Sequence, residues 1–322
     1  PALPAGGAAH GPVGSGARSE MLGVVRLTSG ALAVLFAAIT FLVSIIPCPH
    51  NAPSPRGEIF SPELVRIDSV DKAEIWVRAR LDGRHASDAQ IADAITLFAE
   101  RRFYHGLSRF RVCDDWIANL AGMAWVDLSS PVMPDDILKY RRAICSQQTM
   151  VVQALLARFG IPFATIGIDK PGHMMAAARI NGVWAAYDSN LEPHRTGIVP
   201  FAALERGSTW KQLYAGKPGV PEMGPGDLGD QFSRAADHGL VTLTAIDQYP
   251  AARAATFQRA THFFSRYGWM VFALVFLLTW ARLPSLAALV ERPRQPRTGT
   301  GWPRWSGNMS GSMPFLARGP HW

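Results

Sequence analysis

The sequence predicts an α+β fold: short helices and an antiparallel hairpin form one body, flanked by two transmembrane helices. Three observations carry this reading. Leu27 to Pro47 contains no charged residue and is as long as the ~20 apolar residues that cross a bilayer. Tyr267 to Ala281 is a second, almost wholly apolar run. Between them a helical pattern starts at Cys145 and is followed by short apolar runs around an Asn-Gly pair.

The first apolar run is read as an anchor, because Ser44-Ile45-Ile46-Pro47 lacks the small-x-small pattern of a cleaved signal. The second is bordered by Tyr267, Trp269 and Trp280, the aromatic residues that favour bilayer interfaces. Arg292, Arg294, Arg297 and Arg304 follow it, so the positive-inside rule directs both termini to the cytoplasm and the body between the spans outward. The expected organisation is a disordered segment at 1–23, a span at 24–47, an extracytoplasmic domain at 50–265 with its core at 110–195, a span at 266–290, and a disordered basic tail at 291–322. Residues 1–20 are rich in Gly, Ala and Pro, and Met21 is a candidate natural start with an upstream extension before it.

The chain of 322 residues carries a formal charge of +7, but Arg282 onward accounts for +5 of it. The central body is nearly neutral, which argues against a nucleic-acid surface. Glu74 to Leu81 alternates apolar and polar residues and reads as a strand, with a helix as the alternative. Ser87 and Gln90 form a capping box ahead of Ile91, Ile95, Phe98 and Ala99. Asp114 to Trp125 and Asp135 to Tyr140 read as short helices, with Trp116 and Trp125 as packing residues. Residues 217–229, rich in Gly and Pro, read as a loop near the site, and Ala251 to Arg266 as a helix running into the second span.

The chemistry-bearing stretch runs from Arg142 to Asp188. Val151, Val152, Leu155, Leu156 and Phe159 share one helical face, so Cys145 opens a helix that Gly160 and Pro162 end. A cysteine there faces unpaired N–H groups and the positive dipole end, and both favour thiolate. Phe163 to Ile168 reads as a buried strand. Met174 to Ile180 and Val183 to Tyr187 read as a hairpin joined by Asn181-Gly182. A two-residue loop there sets paired residue numbers to sum to 363. Asp188 then lies diagonally across from His173, within side-chain reach. The carboxylate can orient the imidazole, and the imidazole can take the thiol proton.

Cys145-Ser146-Gln147-Gln148, a helix ending in Gly160-Ile161-Pro162, Gly172-His173, Asn181-Gly182-Val183-Trp184 and Tyr187-Asp188-Ser189 together resemble the bacterial transglutaminase-like superfamily of papain-like thiol enzymes. Pro134 to Leu138 is similar to what such members show before the cysteine, whereas Ile144 stands where many have Gly. The resemblance spans about Trp116 to Pro193. It implies a nucleophile-bearing helix packed on an antiparallel sheet that carries His and Asp. It also implies acyl transfer on a peptide or amide, with hydrolysis favoured over transamidation: Cys145 as nucleophile, His173 as general base and acid, Asp188 as its orienter. The Cys145 N–H is the first oxyanion donor, and Gln147, Gln148 and Tyr140 are candidates for a second. A membrane in a bacterial envelope, with the domain in the periplasm, is the expected setting.

Two other classes stay open. One is a catalytically silent scaffold or partner in an envelope or polysaccharide assembly, for which Ile144 and the two anchors speak. The other is a zinc hydrolase that recruits His194. No phosphate-cradling glycine loop or paired-cysteine zinc motif occurs, so no cofactor and no metal are expected. Cys48 and Cys113, left over from the site, are equally readable as a disulfide or as free thiols.

Overall fold

A computed structural model describes residues 15–45, 48, 59–81, 85–194, 197–220 and 223–290. The segments at 1–14 and 291–322, expected to be disordered, lie outside the described residues. The body is α+β. Its helices are α1 (Ser15–Ile45), α2 (Val70–Arg80), α3 (Asp88–Arg102), α4 (Val112–Ala124), α5 (Pro134–Ile137), α6 (Cys145–Arg158), α7 (Phe201–Leu204), α8 (Gly207–Leu213), α9 (Leu228–Asp237) and α10 (Ala252–Val290). Strands β1 (Tyr104–His105) and β2 (Arg142–Ala143) form a small parallel pair. Strands β3 (Phe163–Ile168), β4 (His173–Ile180), β5 (Val183–Tyr187) and β6 (Val241–Thr244) form an antiparallel sheet in the order β5-β4-β3-β6.

The hairpin register is the expected one. Ala176 pairs with Tyr187 and Ile180 with Val183, and Asn181 and Gly182 take φ of 50° and 84°, as the two-residue turn requires. Both faces of the sheet are covered, which is why its strands read as apolar runs. One face, through Ala176, Ala178, Ala185 and Tyr187, packs on Val151, Val152, Leu155 and Leu156 of α6 and on α3. The other, through Ile166, Ile168, Met175, Ala177 and Ala186, packs on Trp210, Tyr214 and Phe232 around α8 and α9.

The stretch 74–81 is a helix, not a strand. Ser69 caps α2 by accepting from the Lys72 N–H, and Asp135 accepts from the Val70 N–H at 2.8 Å. Val70, Ala73 and Val77 then fall on one buried face, while Ile75 is exposed. Alternation misleads here because Trp76, on the polar set, is partly buried and packs on Phe98. The Ser87–Gln90 capping box forms as expected. Trp125 is exposed, contrary to its expected packing role, whereas Trp116 meets Trp269 of α10 at 5.2 Å between ring centroids. Strand β6 and helix α8 arise where the sequence pattern is weak, whereas α9, unread in the sequence, has an Asp227 cap and one buried face of Leu228, Phe232, Ala235 and Ala236.

Two long helices, Glu20–Leu42 within α1 and Ala252–Arg282 within α10, are long and apolar enough to cross a membrane. The first helix starts at Ser15, inside the segment expected to be disordered. Phe36 of α1 stacks on Trp269 and Phe276 of α10, and Gly30 allows Trp280 to approach closely. Cys48 and Cys113 form a disulfide with Cα atoms 5.6 Å apart, tying the chain just beyond α1 to the start of α4. Arg102 is fully buried and bridges three carbonyls, those of Ile67, Leu138 and Tyr140, bracing the segment that leads into Cys145. Burial holds its guanidinium well below the usual range, at about 10, against the opposing pull of Asp68.

Candidate active site

Cys145 is the first residue of α6, with Ile144 as the residue before the first turn. The first N–H groups of a helix have no carbonyl partner within it, so the thiol sits beside open donors. Gln147 supplies one local closure, its Oε1 accepting from the Ile144 N–H. Cys145 is half-buried and is the chain's free cysteine.

His173 opens β4 and Asp188 follows the last residue of β5. Register therefore places them at the same end of the hairpin. His173 Nε2 donates to Asp188 Oδ2 at 2.8 Å, and both side chains are buried. The other ring nitrogen, Nδ1, is buried without a formed hydrogen bond and is left for Cys145. Burial pushes the Cys145 thiol up, but the His173 ring and the Met174 N–H outweigh it, and the net direction is down. Burial pushes the His173 imidazole down, but Asp188 and then Cys145 outweigh it and raise it to about 10. Asp188 is held below the ordinary carboxylate range: burial opposes this, and the His173 charge and four hydrogen bonds prevail. The three groups thus favour thiolate, imidazolium and carboxylate together.

Several residues in this arrangement escaped the sequence reading. The Tyr214 hydroxyl donates to Asp188 Oδ2 at 2.6 Å. The N–H groups of Asn190 and Leu191 donate to Oδ1 at 2.9 and 3.2 Å. Phe232 stacks on the His173 ring, centroids 5.4 Å apart and planes 20° off parallel, and Tyr214 meets Phe232 edge-on at 5.0 Å. Asn190 Oδ1 also accepts from His105 Nδ1 at 3.0 Å, and its Nδ2 donates to the Ala143 carbonyl. The only available signal was the i, i+4 aromatic pair Trp210 and Tyr214, and nothing in sequence ties it to an aspartate 26 positions earlier.

The three side chains proposed as second oxyanion donors are otherwise engaged. Gln147 Nε2 donates to the Ser108 and Pro131 carbonyls, and its Oε1 also accepts from the Ser108 N–H. Gln148 Nε2 donates to the Ala143 carbonyl. The Tyr140 hydroxyl donates to Asp114, and burial together with the Asp114 charge pushes it far above its ordinary value. All three brace the loops around Cys145. Gln148 Oε1 is buried without a hydrogen-bond partner.

A cavity of about 200 Å³ adjoins the relay through Ser189 and Asn190, with Gln148, His105, Glu192 and Lys217 in its wall. Pro218, Val220 and Leu228, from the described part of 217–229, also line it, and a bridge joins Pro218 to Asp227. Among the described residues no group of three or more His, Cys, Asp or Glu side chains could hold a metal ion, and His194 instead meets the Ala215 carbonyl at 3.3 Å. No family model, no curated protein and no solved structure matches the chain.

Proposed function

We propose that this chain is a membrane-anchored thiol enzyme of the transglutaminase-like type that performs acyl transfer on an amide, with hydrolysis as the favoured outcome. One observation carries the reading. A buried His173–Asp188 pair leaves its free ring nitrogen to a cysteine at a helix start, and the thiol is shifted toward thiolate despite burial. A lone cysteine is ordinarily an inert small hydrophobe. This one has the activating environment that a nucleophile needs.

In the proposed reaction the Cys145 thiolate attacks the amide carbon and the carbonyl becomes an oxyanion. N–H groups at the start of α6 face that oxyanion. His173, protonated at Nδ1, gives its proton to the departing amine and the C–N bond breaks, leaving a thioester. Water then attacks the thioester, His173 Nδ1 takes its proton, and the carboxylic acid leaves as the thiolate is restored. An amine in place of water gives transamidation. Asp188 holds the ring throughout without itself taking a proton. The two apolar helices support placing this body at a bilayer surface, and the arginine-rich tail supports an extracytoplasmic, periplasmic side for it.

The test is covalent labelling by a thiol-reactive amide mimic. The native chain labels with one probe per molecule, and Cys145→Ala abolishes it. Equal labelling of Cys145→Ala would remove the thiol from its role. The scaffold reading, favoured by Ile144 in place of Gly, differs in one result: function in the cell would survive Cys145→Ala, His173→Ala and Asp188→Ala alike.

A further inference from the structure

A cavity beside the start of α4 is not used by this chemistry. It measures about 690 Å³ and is lined by Arg109, Arg111, Arg141 and Arg142, with Ser108, Asn119 and Tyr140 as polar neighbours and no carboxylate among its lining residues. Arg109 and Arg142 are exposed, and among the described residues neither guanidinium takes part in a hydrogen bond or ion pair. Asp114 accepts from the Tyr140 hydroxyl and the Arg111 N–H. Gly106 adopts φ of 147°, and a Cβ there would come within 3.2 Å of Arg142 Cδ. Glycine is therefore what lets this loop lie against Arg142 and shape the cavity wall.

Chain geometry fixes where the cavity sits. Cys113 follows Arg111 and Val112, both of which line it, and is bonded to Cys48. Cys48 lies three residues beyond the end of α1, a reach of at most about 10 Å. On the other side α4 is held to α10 by Asp115, which accepts from Thr261 and Ser265 at 2.6 and 2.5 Å. Val112, which lines the cavity with the arginines, exposes an apolar side chain, as do Leu120, Met123 and Trp125 further along and just beyond α4. A basic cavity beside exposed apolar residues, pinned to both apolar helices, matches the chemistry of a bilayer interface, with anionic headgroups above and acyl chains below.

We propose that this cavity binds the phosphate headgroup of an anionic lipid from the membrane that α1 and α10 enter. The inference rests on the membrane reading and goes beyond the thiol chemistry. Because Arg142 lies three residues before Cys145, a lipid held there fixes the nucleophile's loop against the bilayer.

The test uses the full chain in detergent, titrated with short-chain phosphatidylglycerol, phosphatidylcholine and soluble glycerol phosphate, with bound adducts counted by native mass spectrometry. Phosphatidylglycerol is expected to bind one-to-one. Neutralising two arginines in Arg109→Gln/Arg142→Gln is expected to weaken it roughly 30-fold, at about fivefold for each charge, whereas Arg109→Lys/Arg142→Lys keeps most of the affinity. Wild-type affinity in the glutamine pair would overturn the proposal, as would equal loss in the lysine pair. So would equal binding of phosphatidylcholine, which shows that net charge is not read. Glycerol phosphate binding as tightly as the lipid would replace the lipid with a soluble phosphate ester. An intact Cys48–Cys113 disulfide in each variant reports a native fold. The same titration on Cys145→Ala separates this site from the catalytic reading, since lipid binding persists there. A chain that stays dispersed without detergent would instead remove the membrane reading.

Discussion

Tyr214→Phe isolates how the relay is tuned. The substitution deletes one hydroxyl and keeps the ring, so the edge-on contact with Phe232 and the stack on Trp210 remain. What disappears is a 2.6 Å hydrogen bond to the buried Asp188 carboxylate. A hydrogen bond to a charged group contributes about 1.5–3 kcal/mol. Its loss therefore raises the Asp188 pKa in the folded state. The sign follows from linkage. Asp188 is held low in the folded protein, so its contribution is present above the unfolded carboxylate range and is lost as pH falls through its folded value. Tyr214→Phe therefore destabilises the chain at neutral pH, and its difference from wild type shrinks in acid, where the carboxylate is protonated in both. A more basic carboxylate stabilises the imidazolium more while it stays ionised, so the Cys145 thiolate persists over a wider range. The assay is the alkylation rate of Cys145 by iodoacetamide against pH, with melting temperature measured in parallel. The expected outcome is a midpoint displaced downward, and a melting-temperature shortfall against wild type that is larger at pH 7 than in acid below the folded Asp188 value. An alkylation profile superimposable on wild type, with Asp188→Ala displaced, would refute the view that Tyr214 tunes the relay.

The wild-type alkylation profile carries its own expectation: the rate stays high well below the ordinary thiol range of about 8.5, because His173 holds the thiolate. A midpoint at or above that range would contradict it. His173 is raised to about 10, so its stabilising share is complete below about 6.5 and is lost as pH rises through about 10. Thermal melts in alkali should fall over that window, and His173→Gln should flatten the fall. Phe232→Ala removes the ring stacked on His173 and should cost about 3–5 kcal/mol, while Phe232→Leu keeps most of the melting temperature yet still slows alkylation. Reduction of Cys48–Cys113 opens a link between residues 65 apart. By the loop-entropy account that should cost about 4 kcal/mol, read as a lower melting temperature in dithiothreitol that Cys48→Ser/Cys113→Ser abolishes as a difference.

Much of the local structure is legible in the chain because it is set by neighbours in sequence. Asn181-Gly182 tolerates the positive φ that a two-residue turn needs, and that turn dictates which residues face one another. The apolar face from Val151 to Phe159 and the stop at Gly160 define α6 with Cys145 at its head. The failures have one origin. At 74–81 both periodicities fit, and a cap at Ser69 with Asp135 from a distant helix selected α2. Trp125 is apolar by type yet exposed, because packing depends on what the fold brings opposite it. Gln147, Gln148 and Tyr140 stand apart from these: the fold shows Gln147 and Tyr140 reaching groups distant in sequence and Gln148 reaching the nearby Ala143 carbonyl.

The order of Cys145, His173 and Asp188 along the chain, the turn that joins the hairpin, the two apolar stretches and the uneven charge are all properties of local sequence. They sufficed to draw the thiol, imidazole and carboxylate toward one place, because strand pairing is a matter of register. What only the folded molecule decided is the protonation bias of that place. Tyr214, at the end of α8, and Phe232 of α9 are brought from far along the chain and close over the carboxylate and the ring. Burial and hydrogen bonding set a pKa, and both depend on which residues meet in space.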